Sequence, residues 1–166
     1  MSRISLHLKL SAVLALALAG AAAVPTSVFA YDAESTSAIN TEAGAVILHG
    51  YDPVAYFAAG KPTKGDAKFS ASHGGATYHF ASEANRKTFQ SNPEHYVPQF
   101  GGFCAMGAAL GKKLDVDPMA FKVVDGKLYL NVNADVFKKW SENIPANIAK
   151  AEANWPLIKD KTPASL

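Results

Sequence analysis

After residue 43 the chain alternates short apolar runs with glycine, proline and polar turn signals. This pattern is typical of small strands and short helices. The apolar run at 45–48 favours a strand. Asp52 followed by Pro53 supplies a helix cap and a first-turn proline, and Gly60 supplies a stop, so one or two helical turns are predicted between them.

Two β-hairpins are predicted from strand-like segments that flank turn residues. Segments 68–72 and 77–80 enclose a Gly-Gly pair, and glycine tolerates the positive φ that tight turns need. Segments 121–124 and 128–132 enclose an Asp-Gly turn, which is a strong hairpin signal.

Four further helix starts are marked by capping residues or prolines, namely Ser82, Asn92-Pro93, Asn133 or Asp135, and Pro145. No internal repeat divides the chain. The fold class that follows is α+β, a small single domain built from antiparallel β-hairpins and short helices.

The first thirty residues have a different character. Arg3 and Lys9 precede the uncharged run from Leu10 to Val24, and Val28 and Ala30 are small enough for the −3 and −1 positions of a cleavage site. The run is shorter than the roughly 20 residues that a membrane span needs. We therefore predict a signal peptide over 1–30, cleaved after Ala30, with a retained membrane anchor as the alternative. The processed chain would be periplasmic or secreted and free of the membrane.

Domain boundaries follow from composition. Residues 31–43 are rich in Ser, Thr, Ala and acidic residues without apolar periodicity, which predicts a flexible leader. The domain is expected over 44–160, with a tail at 161–166.

Composition excludes several classes of protein. The 166 residues are 49% apolar, which is typical of a globular chain. The net charge of +2 gives no basic surplus of the kind that nucleic-acid binders carry, so no nucleic-acid partner is expected. A single cysteine rules out a disulfide framework within one chain.

That cysteine, Cys104, follows Gly101-Gly102 in a turn where the backbone can approach another group closely. In an oxidising compartment four interpretations are open: a buried inert thiol, an intermolecular disulfide, a metal ligand or a reactive thiol.

Several segments together resemble the YHS domain family. The principal one is Thr77–Tyr96, and Asp52-Pro53-Val54 is similar to the opening of the family motif. The continuation through Gly101–Ala105 and Leu128–Leu130 is similar to an exported, single-domain branch. The resemblance implies a YHS-like fold and a small metal-binding module that uses cysteine thiolates. For an exported protein it favours copper, with a metal ion or a metal-trafficking protein as partner.

The chain departs from the metal-binding form of the family at three positions. Where that form carries cysteines, this sequence has Ala55, Ala81 and Asn85. None of these can be a thiolate ligand, so the fold can be inherited without the site.

Other residues could supply a metal site. Cu(I) prefers thiolate and thioether ligands and accepts imidazole, so Cys104 and Met106 are candidates together with His49 and His79. His49 lies at a predicted strand-to-helix junction, where polar groups commonly converge. Because side chains alternate along a strand, His79 faces solvent if Phe80 points inward.

Two other classes of function stay open. Cys104, His49 and Asp52 could form a nucleophile, base and orienting group, but every common cofactor signature is missing and an enzyme is the less favoured interpretation. A non-metal interaction module with a structural Cys104 would use the region from Trp140 to Trp155 to pack against a partner.

Overall fold

The computed structural model describes residues 32–166, so the predicted signal peptide and its cleavage site lie outside the described residues. Within this range the helices and strands are, in chain order, α1 (Pro53–Ala58), β1 (Asp66–His73), β2 (Ala76–Phe80), α2 (Glu83–Ser91), α3 (Pro93–Tyr96), α4 (Ala105–Ala109), β3 (Asp117–Val124), β4 (Lys127–Asn131), α5 (Ala134–Ser141) and α6 (Ile144–Ile158). No helix among the described residues is long and apolar enough to cross a membrane.

The strands form two separate two-stranded antiparallel sheets, β1 with β2 and β3 with β4. Both predicted hairpins are confirmed. In the second, Asp125 and Gly126 have φ of 49° and 72°, the positive values that a type I′ hairpin turn requires. The α+β class predicted from the sequence is therefore confirmed.

The helices begin where the capping residues predict. Asp52 and Ser82 accept hydrogen bonds from backbone N–H groups in the first turns of α1 and α2, and Asn133 does the same for α5. Pro93 opens α3. These caps satisfy amides that have no partner inside the helix.

The predicted strand at 45–48 is wrong. Its residues form tight turns, and only isolated bridges remain, between Val46 and Thr77 and between Ile47 and Thr41. Positive φ at Ala45 and Leu48 breaks the extended backbone that a strand needs.

Two groups of buried side chains form the core. The larger lies between the hairpins and α1 and α2 and includes Phe80, Phe89 and Leu130. The smaller packs around Trp140 and Ala151, where α5 and α6 cover α4 and β4. Trp140 and Trp155 therefore pack within the domain in this second group.

Residues 37–42, which the sequence assigns to a leader before the domain, contact the domain directly. The backbone amide of Asn40 donates a hydrogen bond to the carbonyl of Gly101 at 2.8 Å. The buried ammonium of Lys113 donates to the carbonyls of Ser37, Lys159 and Lys161 at 2.7–3.0 Å. These contacts join both ends of the described chain to the loop before β3.

Candidate functional site

His49 lies in a left-handed turn, an unusual backbone for residues other than glycine. Leu48, His49 and Gly50 have φ of 58°, 50° and 71°. Each non-glycine residue in this conformation costs about 1–2 kcal/mol. The turn is closed by the amide of Tyr51, which donates to the carbonyl of Leu48 at 2.9 Å, and by Lys64, whose ammonium donates to the carbonyl of His49. Strain of this kind concentrates at functional sites.

Both ring nitrogens of His49 are engaged. Nδ1 pairs with the carboxylate of Glu42, while Nε2 lies 3.1 Å from Oδ1 of Asp115 and 3.0 Å from the carbonyl oxygen of Val116. Asn40 donates its amide Nδ2 to the same Asp115 oxygen at 2.8 Å. The imidazole is therefore fixed in one orientation between two carboxylates.

These contacts change the pKa values of His49 and Asp115. The hydrogen bond to Asp115, supported by the charges of Asp115 and Glu42, raises the pKa of His49 to about 9 although burial opposes the shift. Burial alone would raise the pKa of Asp115, but the hydrogen bonds from His49 and Asn40 hold it below its usual value. These contacts favour the imidazolium form of His49 at neutral pH.

A pocket of about 390 Å³ opens beside this ring. Its lining includes His49, Tyr51, Lys64, Asp115, Asp117 and Pro118. The Lys64 ammonium lies 4.8 Å from the centre of the Tyr51 ring. One carboxylate oxygen of Asp117 accepts a hydrogen bond from the Met119 backbone amide at 2.8 Å. The pocket thus combines an aromatic face, one lysine ammonium and two carboxylates around the His49 ring.

Cys104 lies elsewhere, fully buried in the core. Cys104 is the N-cap of α4, and its sulfur accepts a hydrogen bond from the Gly107 amide nitrogen at 3.3 Å. The thiol lies 3.7 Å from the side-chain oxygen of Asn131. Burial raises the pKa of the thiol above its usual value, although nearby amides oppose the shift. In this position the sulfur packs in the core and caps α4, and burial favours its protonated form.

The other predicted ligands are not gathered around this sulfur. His79 is half-buried on β2 beside Gly50, where a β-carbon added to the glycine would lie 3.1 Å from the ring Nδ1. Phe80 next to it is fully buried, which confirms the predicted alternation. Met106 is partly buried and packs against both core groups. Among residues 32–166, no group of three or more His, Cys, Asp or Glu side chains is arranged to hold a metal ion.

As they are placed, Cys104 and His49 do not fit a copper ion. Cu(I) binds thiolate, thioether or unengaged imidazole nitrogen, with two or more such ligands in reach of one ion. The buried thiol of Cys104 favours its protonated form, and both nitrogens of His49 are hydrogen-bonded.

Two of the three positions at which the family resemblance implies cysteine, Ala81 and Asn85, contact one buried carboxylate. One carboxylate oxygen of Asp52 accepts a hydrogen bond from the Val54 backbone amide at 2.8 Å. The other oxygen accepts hydrogen bonds from the Ala81 backbone amide at 2.8 Å and from the Asn85 side-chain amide at 2.6 Å. Ala55 follows in the same helical turn and is also buried. A hydrogen-bonded carboxylate thus stands among the positions of the missing thiolates.

Sequence reasoning missed most of the His49 site. Glu42 and Asp115 lie 7 and 66 residues from His49 along the chain, and Lys64 lies 15 residues away. Glu42 was assigned to the leader. Only the clustering of His49, Gly50 and Asp52 at one junction pointed to this region, because separations of this length carry no periodic signal.

The fold and the site define a small α+β domain with a histidine-centred polar pocket and a cysteine buried as a helix cap. Comparison with protein families gives a match to the YHS domain over residues 54–100, which spans most of α1, the first hairpin, α2 and α3. This segment is a YHS domain, and the resemblance seen in the sequence is confirmed. Neither the curated proteins nor the solved structures gave a match to the chain.

Proposed function

We propose that this YHS domain protein is a binding module that holds a small organic amine in the His49 pocket, while Cys104 has a structural role. The observation that carries the proposal is the imidazolium fixed between Glu42 and Asp115 at the wall of a pocket of about 390 Å³. Cavities with a few fixed polar groups and shifted pKa values are the usual form of ligand sites.

The charges around the pocket favour a cation. Two anionic groups, Glu42 and Asp115, face the single positive charge of His49. Asp117 adds a further carboxylate, and Lys64 is the cation that partly offsets it. Counting Glu42, which pairs with His49 but does not line the pocket, the balance is negative by about one charge, so a positively charged ligand is favoured over a carboxylate.

The face of the Tyr51 ring is the position that we assign to the ammonium group of the ligand. Lys64 already holds an ammonium 4.8 Å from the ring centre, so the aromatic face is accessible to a cation. Lys64 is an exposed residue, so a ligand cation would compete with its ammonium for the ring face, at the cost of the Lys64 bond to the His49 carbonyl. A ligand amine over Tyr51 would donate to the carboxylate oxygen of Asp117 that does not cap Met119.

The test is a titration of the purified protein with ethanolamine and, separately, acetate, followed by amide chemical shifts. We expect ethanolamine to move the resonances of Tyr51 and Val116, and acetate to leave them in place. Asp117→Asn keeps an oxygen for the Met119 amide and removes the charge, so binding should weaken about fivefold. Asp125→Asn, in the exposed hairpin turn, is the matched control.

Equal responses to ethanolamine and acetate, or an unchanged affinity in Asp117→Asn, would contradict the amine assignment. Raising the salt concentration should weaken ethanolamine binding, since a partly exposed charge pair is screened. Binding that is insensitive to salt would also count against it.

Metal handling through Cys104 is the second candidate, favoured by the match to the YHS domain. The test is elemental analysis and titration with Cu(I) and zinc on the wild type and on Cys104→Ser. Because the thiol is buried and protonated, we expect equal and weak binding by both proteins and slow alkylation of Cys104 near neutral pH. One equivalent of copper lost only in Cys104→Ser would establish the metal function instead.

Export is part of the proposal and rests on residues 1–30. Cell fractionation and sequencing of the amino terminus test it. We expect a chain that begins at Tyr31 and lies outside the cytoplasm, whereas an intact Met1 terminus on a membrane-bound chain would support the retained anchor.

A further inference from the structure

A second pocket, of about 290 Å³, shares no lining residue with the His49 pocket. Four apolar side chains contribute to its lining, namely Ile39, Ile47, Val97 and Pro98. Ile39 comes from the segment before the predicted domain, so the pocket depends on how that segment lies across Gly101. Its volume is at the low end of the range for ligand pockets, which limits the occupant to a small molecule.

Tyr78 lines this pocket and is only 4% exposed. No hydrogen bond joins its hydroxyl to any residue between 32 and 166, whereas the hydroxyl of Tyr56 donates to the carbonyl of Pro118 at 3.1 Å. The ring is buried, but the hydroxyl oxygen is not one of the buried polar atoms without a partner, so it is accessible from the pocket that Tyr78 lines. Burial and the negative charge of Glu94 raise the pKa of Tyr78, so its hydroxyl stays protonated and is available as a donor.

Glu94 and His73 also line the pocket and form a pair in which His73 Nε2 lies 2.9 Å from one Glu94 oxygen. The Glu94 side chain is 78% exposed, so it lies on the solvent side of the pocket. Its second carboxylate oxygen can accept a hydrogen bond from an occupant. The same charge repels an anionic ligand, because two carboxylates at close range cannot both stay ionised without a cost.

We propose that this pocket binds a small apolar molecule that carries one hydroxyl group, such as an alkylphenol. A hydroxyl oxygen accepts a hydrogen bond and its hydrogen donates one, so a single group on the ligand satisfies both Tyr78 and Glu94. The hydrocarbon part of the ligand packs against the apolar wall of Ile39, Ile47 and Val97.

The experiment compares three probes of similar shape on the purified protein by NMR titration: 4-ethylphenol, 4-ethylbenzoate and ethylbenzene. We expect 4-ethylphenol to bind and to shift the amides of Ile39 and Val97. Ethylbenzene should bind about tenfold more weakly because it lacks the hydrogen-bonding group, and 4-ethylbenzoate should be excluded by charge.

Tyr78→Phe removes the phenolic donor and keeps the ring. We expect it to weaken 4-ethylphenol binding about tenfold and to leave ethylbenzene unchanged. Tyr56→Phe is the matched control, since its hydroxyl lies on Pro118 and away from this pocket. Glu94→Gln should admit 4-ethylbenzoate.

Three results would overturn the proposal. They are the absence of any shift with 4-ethylphenol, equal binding of ethylbenzene and 4-ethylphenol to the wild type, and unchanged affinity in Tyr78→Phe. Because the two pockets share no lining residue, failure here leaves the amine proposal untouched, and the reverse also holds.

Discussion

At the scale of single residues, His49 shows how contacts outside the local sequence change a side chain's chemistry. A histidine of ordinary pKa is partly neutral at pH 7, and its free nitrogen can bind a metal or a proton. Here Glu42 and Asp115 hold the ring as an imidazolium. In this arrangement the residue that the sequence predicts as a metal ligand favours its positively charged form.

This charge makes stability depend on pH. The pKa of His49 is about 9 in the folded chain and about 6.5 as an unperturbed side chain. Its contribution is fully present below about pH 6.5 and is lost as pH rises through about 9. Relative to His49→Gln, the wild type should therefore lose about 1–2 kcal/mol of unfolding free energy between pH 6.5 and 9.5, since solvent screens a partly exposed ion pair.

Urea unfolding of both proteins at a series of pH values measures this difference. His95→Gln, at an exposed position of α3, serves as the control and should follow the wild type. A wild-type advantage that stays constant from pH 6.5 to 9.5 would show that the ring is not held as an imidazolium.

At the scale of elements, a second left-handed turn, Phe100–Gly102, positions the N-terminal segment. Phe100 and Gly101 have φ of 53° and 60°. Asn40 crosses this turn, and its amide donates to the carbonyl of Gly101 at 2.8 Å. A β-carbon at Gly101 would lie 1.8 Å from the carbonyl oxygen of Ala38, so only glycine permits the crossing.

Gly101→Ala should displace residues 37–42 and destabilise the fold by about 3 kcal/mol or more, because backbone atoms must move to remove the clash. Gly111→Ala is a matched control. Gly111 also has a positive φ, 73°, but an added β-carbon there meets nothing within 4 Å. It should cost only the left-handed penalty of about 1 kcal/mol.

Limited proteolysis near Ser37 and urea unfolding together read out this comparison. Faster cleavage is expected in Gly101→Ala alone. Equal cleavage and equal stability in the two variants would show that the close crossing of Ala38 over Gly101 is not maintained in solution.

At the scale of the whole molecule, Lys113 joins distant parts of the chain. Its side chain is nearly fully buried, and its ammonium donates to Ser37, Lys159 and Lys161 and lies 4.9 Å from the centre of the Phe103 ring. Burial lowers its pKa. Three carbonyls and an aromatic face replace the water that a buried ammonium loses.

Lys113→Met keeps the length of the side chain and removes the three donors. We expect a loss of about 2–4 kcal/mol of unfolding free energy, because buried carbonyls are left without partners. Lys112→Met is the control, since the Lys112 ammonium makes only an exposed bond to the carbonyl of Leu166.

Thermal unfolding of the two variants compares their stabilities. Lys112→Met should stay within about 0.5 kcal/mol of the wild type. A Lys113→Met protein as stable as Lys112→Met would mean that the ends of the chain are held by other contacts.

Local signals predicted the elements that depend on neighbouring residues. Ser82, Asn92-Pro93 and Asn133 gave the starts of α2, α3 and α5 because a cap acts within one helical turn. The Asp-Gly turn gave the second hairpin for the same reason. The apolar run at 45–48 does not form a strand. Its residues enter tight turns, and their positions depend on hydrogen bonds to segments that are distant in the sequence.

The sequence by itself determined the hairpins, the helix caps and the likeness to the YHS domain, because those features depend on residues that are close along the chain. Only the tertiary structure decided that Cys104 is buried as a cap, that Asp52 binds the amides of Ala81 and Asn85, and that Glu42 and Asp115 contact the His49 ring. Burial and charge pairing depend on residues that are far apart in sequence, and folding alone brings them within hydrogen-bond distance.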